Sequence, residues 1–98
     1  MYTIPELREI IVPVAKAYGV ERVYLFGSYA RGEASEKSDL DFRIDKGNIK
    51  GIQYFGFLND LETVLNMPVD MVTTNSLDKN FLETIQREGE VLLYENKG

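Results

Sequence analysis

The stretch Val23-Tyr24-Leu25-Phe26-Gly27-Ser28, followed after ten residues by Asp39-Leu40-Asp41-Phe42-Arg43-Ile44, decides the fold. Val23 to Phe26 is apolar at every position and rich in strand formers. A strand without polar alternation has both faces covered, so this one belongs at the centre of a sheet, with Tyr24 and Phe26 in the core. Gly27-Ser28 breaks it. Tyr29-Ala30-Arg31 then makes a helical turn ending at Gly32, and residues 33–38 are polar and loop-like. Asp39 to Ile44 alternates polar with apolar residues, the pattern of a half-buried strand. Leu40, Phe42 and Ile44 take the core face. Asp39, Asp41 and Arg43 share the other, where Arg43 either screens the carboxylates or meets a phosphate.

Working outward, Thr3 and Glu6 have capping-box spacing at a helix start. Ile4, Leu7, Ile11, Val14 and Tyr18 form a helical stripe that Gly19 ends, and Pro13 is expected to kink or split it near Ile11-Val12. Residues 45–51 read as a turn region. A second stripe, Ile52, Phe55, Leu58, Leu61 and Leu65, stops at Asn66-Met67-Pro68. Val69-Asp70-Met71-Val72 is a third strand. Asn75-Ser76 offers caps for a last helix carrying Leu77, Phe81 and Ile85 and ending at Gly89. Val91 to Tyr94 reads as a final strand or an extended tail. The expected fold is therefore a small α/β (α+β) structure, a mixed sheet of about four strands covered by helices, in one domain spanning residues 1–98. Among the aromatics, Tyr29 is read as packing rather than as a platform for a nucleotide base. Tyr54, Phe55 and Phe57 are either core with one exposed ring or part of a partner surface.

Composition narrows the chemistry. The chain has 98 residues, 44% hydrophobic and 28% charged, the balance of a folded globular protein. Sixteen acidic against eleven basic residues give a net charge of −5, which argues against broad nucleic-acid or anionic-membrane binding. There is no cysteine and no histidine, so thiolate metal sites, disulfides, Ser-His catalysis and imidazole bases are excluded. No run approaches the about 20 apolar residues of a membrane helix, and the first residues lack the pattern of a signal peptide. A cytoplasmic protein, complete as written, is expected.

Three carboxylates then stand out because strands seldom carry them. Asp39 and Asp41 are two residues apart, hence on one face and roughly 6.5 Å apart at about 3.3 Å per residue. Asp70 lies in an apolar strand, where it either joins that pair or serves as an edge charge that blocks aggregation. Side-by-side anions repel unless a cation lies between them, and an all-oxygen donor set suits a hard dication such as Mg2+. Gly27-Ser28 sits where a strand meets a helical turn, a place that binds phosphate through backbone N–H groups. Ser28 adds a hydroxyl and Arg31 a charge.

Gly27-Ser28, ten residues, then Asp39-x-Asp41 resembles the signature of the nucleotidyltransferases related to DNA polymerase beta. The longer run from Leu25 to Phe42, with Val69 to Val72, is similar to the minimal nucleotidyltransferase (MNT) branch. This resemblance implies the following expectations. Gly27, Ser28 and Arg31 bind the triphosphate of ATP, and Asp39, Asp41 and Asp70 are catalytic and hold two Mg2+ ions. The activity is transfer of AMP to a hydroxyl, a tyrosine in some relatives, of a HEPN-domain toxin, for which the chain is the antitoxin. Two alternatives stay open: a non-catalytic nucleotide-binding module that masks a toxin sterically, and an enzyme acting on a small molecule.

Overall fold

A computed structural model describes residues 1–97. Thr3 caps α1 (Ile4–Tyr18). Its hydroxyl accepts from the Glu6 N–H at 3.2 Å, and the Glu6 carboxylate accepts from the Thr3 N–H at 2.8 Å. Gly19 ends the helix at φ +75°, a conformation that glycine adopts without penalty. The expected break at Pro13 is absent, and α1 is one helix. Pro13 is exposed, so water can serve the carbonyl that loses its N–H partner.

The chain continues through β1 (Arg22–Phe26), α2 (Gly27–Ala30), β2 (Leu40–Asp45), α3 (Ile52–Leu65), β3 (Val69–Thr73), a 3-10 turn (Thr74–Ser76), α4 (Lys79–Glu88) and β4 (Val91–Glu95). The four strands form one mixed sheet in the order β3-β2-β1-β4. β1 is central and antiparallel to both neighbours, while β2 and β3 are parallel. A parallel pair needs a crossover, and α3 supplies it.

Leu7, Ile11 and Ala15 of α1 and Phe57, Leu61 and Leu65 of α3 join Val23, Leu25, Leu40, Phe42 and Ile44 in a single buried cluster. This helix-covered core takes one face of the sheet. Tyr24 and Phe26 lie on the other face, and the expectation that they join the core is corrected: both are only half-buried. Arg43 covers the Tyr24 ring, with the guanidinium carbon 3.9 Å from its centroid, and Phe81 of α4 meets Phe26 edge to face at 6.4 Å.

Two further boundaries differ from expectation, and one open reading is decided. The helix after β3 does not start at Asn75-Ser76; those residues form the 3-10 turn, and Asp78 caps α4 by accepting from the Asn80 N–H. Leu77 accordingly precedes the helix. The second strand starts at Leu40, leaving Asp39 just ahead of it. The segment from Val91 is a true strand, paired with β1. Among the described residues no helix is long and apolar enough to cross a membrane.

Candidate active site

β1 and β2 run antiparallel, so the end of one lies beside the start of the other, and Phe26 stands opposite Asp41. The Gly27-Ser28 turn is thereby brought to the carboxylates. Gly27 has φ +74°, and a Cβ built there would collide with the Asp41 carboxylate. Only glycine permits this approach, which joins the two halves of the sequence motif in space. Ser28 and Tyr29 follow in α2, whose first-turn N–H groups have no partner inside the helix. Tyr29 is buried, in keeping with a packing role.

The parallel register of β2 and β3 places Asp70 directly beside Asp41. Neighbouring strands lie about 4.8 Å apart, and registered residues share a face, so these carboxylates lie side by side. Asp70 is exposed and Asp41 half-buried. Burial first, then the charges of Asp70 and Asp39, push the Asp41 carboxyl above its usual range, while Arg31 pulls the other way. Asp41 thus feels the charge of both other candidate carboxylates. Among the described residues, however, no three acidic side chains form a group tight enough to hold a metal ion. The donor chemistry itself fits a hard dication: carboxylate oxygens only, on a face where burial and then the neighbouring charges hold one carboxyl toward its neutral form.

Two arginines are candidates for the site. Arg31 stays near the site but is engaged, pairing with Glu33 at 2.9 Å and with Glu88 of α4 at 3.4 Å. Arg43 forms its ion pairs with Glu90 and Asp45 rather than with Asp39 or Asp41, and its burial leaves its donors turned to those partners. It is 4% exposed, forms two hydrogen bonds to the Glu90 carboxylate at 3.2 and 2.7 Å, and donates to the Thr74 hydroxyl at 2.9 Å. Its position in β2 commits it to the sheet's second face, where Glu90, just ahead of β4, supplies the counter-charge. Glu90 and Thr74 escape a reading by spacing, being 47 and 31 residues from Arg43. The middle helix is also settled in geometry: Phe57 is core, the Tyr54 hydroxyl donates to the Met71 carbonyl, and Phe55 is the exposed ring at 66%.

The family model described as polymerase beta, nucleotidyltransferase, matches residues 9–98. The chain belongs to that family. It is a nucleotidyltransferase, and the sheet and helices are those of the nucleotidyltransferase fold. It is similar to the protein adenylyltransferase MntA of Thermococcus cleftensis, at 37% identity over 93 residues, 90% of this chain and 94% of that one. A solved structure of a candidate minimal nucleotidyltransferase is 32% identical and superposes with a TM-score of 0.75, covering 90% of this chain and 94% of its own. A complex of a tri-AMPylated Shewanella oneidensis HEPN toxin with its MNT antitoxin shares the fold at a TM-score of 0.71 and 17% identity, covering 97% of this chain and 75% of that one.

Proposed function

We propose that this chain transfers AMP from ATP to a tyrosine hydroxyl of a HEPN toxin and so acts as its antitoxin. The observation that carries the reading is the placement of the Gly27-Ser28 turn against Asp41, with Asp70 in register beside it. A phosphate-binding turn and paired carboxylates on one face are what phosphoryl transfer needs. The acceptor class comes from the relatives: one is named a protein adenylyltransferase, and one shared fold is that of an MNT antitoxin with an AMPylated toxin.

In this reading Gly27 and Ser28 hold the triphosphate through backbone N–H groups and the serine hydroxyl, with Arg31 adding charge if it leaves Glu33. Asp39, Asp41 and Asp70 would hold Mg2+. When bound, the dication supplies positive charge to the phosphates and acidifies the acceptor hydroxyl. Asp70, exposed and beside Asp41, takes the proton of that hydroxyl. The acceptor oxygen then bonds to the α-phosphorus, the bond to the bridging oxygen breaks, and pyrophosphate leaves. No histidine competes for the base role.

The test is intact-mass spectrometry of the cognate HEPN protein after incubation with this chain, ATP and Mg2+. A gain of AMP on a tyrosine, with loss of nuclease activity and no gain with Asp41→Asn, is expected. A stable inhibitory complex in which the toxin mass never changes would overturn the enzymatic reading in favour of steric masking.

A further inference from the structure

β3 is an edge strand, and it carries Asp70. Edge strands are the least restrained part of a sheet, since one row of backbone groups lacks a neighbouring strand. A strand residue directs its N–H and C=O to one edge and the next residue directs them to the other. The outward edge of β3 therefore presents groups of Val69 and Met71, the two neighbours of Asp70. Both are engaged from α3. The Val69 N–H donates to the Glu62 carboxylate at 3.0 Å, and the Tyr54 hydroxyl donates to the Met71 carbonyl at 2.8 Å. α3 runs back along β3, so residues eight apart in the helix reach peptide groups two residues apart in the strand. The side chains of Val69 and Met71 are buried, whereas that of Asp70 is exposed.

The geometry points to Tyr54 and Glu62 as positioning residues for Asp70, a two-point clamp from α3 that fixes the edge strand on either side of the third carboxylate. Neither side chain needs to touch substrate. Each acts through the backbone, holding β3 in the register that sets Asp70 beside Asp41. A clamp made of one hydroxyl donor and one carboxylate acceptor leaves the outer face of Asp70 open to the acceptor hydroxyl. The inference rests on the proposed role of Asp70, while the clamp itself is a property of β3.

The experiment compares wild type with Tyr54→Phe, Glu62→Ala, the double variant and Glu62→Gln. Phenylalanine keeps the ring and deletes the donor; glutamine keeps an acceptor oxygen. Three readouts are taken: amide hydrogen exchange of β3 in metal-free protein, Mn2+ affinity by calorimetry with ATP present, and kcat and KM for AMP transfer. In the double variant the Asp70 amide is expected to exchange about ten-fold faster relative to β1 amides. Mn2+ affinity and kcat are expected to fall roughly ten-fold or more, the size typical of residues that orient metal ligands, with KM for ATP little changed. Glu62→Gln restores most of each loss. If Glu62→Ala does not fold, Tyr54→Phe carries the same comparison with a smaller effect. Unchanged β3 exchange in the variants overturns the clamp, and so does faster exchange with Mn2+ affinity and kcat intact. If wild type transfers no AMP, the proposed function fails, while the exchange comparison still judges the clamp.

Discussion

Asp41 is where charge and burial meet. Its carboxyl is raised by burial, Asp70 and Asp39, so the folded protein holds that proton more tightly than the unfolded chain does. The sign of the linkage follows. Below the ordinary carboxylate range both states are protonated and Asp41 costs nothing. As pH rises through the raised folded value, the folded state must ionise a disfavoured carboxyl and loses stability relative to the unfolded chain. Asp41→Asn removes this cost. The metal-free variant is expected to melt a few degrees above wild type at neutral pH, with the gap closing on acidification toward the ordinary aspartate range. Thermal melts of both proteins across pH, with chelator present, measure it. A variant that melts lower than wild type at neutral pH would make Asp41 a structural residue and weaken the catalytic reading.

At the scale of elements, the second face of the sheet is tied together by Arg43. Its guanidinium links β2 to Glu90 at β4 and to Thr74 after β3, and it lies on Tyr24 of β1. All four strands are thus joined at or next to one side chain. Removing one partner of a buried pair strands the other charge, at a cost of about 3 kcal/mol. Arg43→Met is expected to lose about that much in denaturant unfolding, and Arg43→Met combined with Glu90→Gln to recover most of it. Additive losses in the double-mutant cycle would show that the pair is not coupled. The same residue marks the limit of what the sequence discloses. Alternation put Leu40, Phe42 and Ile44 on the core face, and Thr3 with Glu6 marked the first helix, because these signals are local. The Gly27-Ser28 and Asp39-x-Asp41 spacing is local too, and the fold brings Gly27 against Asp41. The partner of Arg43 comes from a distant strand, the clamp on β3 comes from a helix whose stripe reads only as core packing, and Pro13 is tolerated because of an exposure set by the whole fold. Tyr24 and Phe26 depart from the expected core for a related reason: apolar residues on both faces imply cover, and here the cover is a cation and one ring rather than a packed layer.

At the scale of the whole molecule, charge bears on how the proposed toxin partner would be found. Sixteen acidic residues outnumber eleven basic ones. Arg22, Arg31 and Arg43 are also committed to internal ion pairs, Arg22 alone pairing with Glu21, Asp45 and Glu95. Their positive charge is therefore largely compensated within the chain, and the field outside it is negative. A toxin that cleaves RNA must attract phosphates and so presents a basic surface. Opposite surface potentials speed encounter far more than they strengthen the final complex. Screening acts over about 10 Å at 0.1 M salt and about 3 Å at 1 M, so salt weakens the long-range attraction and leaves short-range contacts nearly intact. Under the proposed function, the association rate constant of this chain with a HEPN toxin is therefore expected to fall by ten-fold or more between about 0.05 and 0.5 M salt, with the dissociation rate constant changing much less. Stopped-flow or surface-binding kinetics across that range separate the two constants. An association rate indifferent to salt would mean that the acidic surface does not face the toxin, and recognition would then have to rest on short-range fit alone.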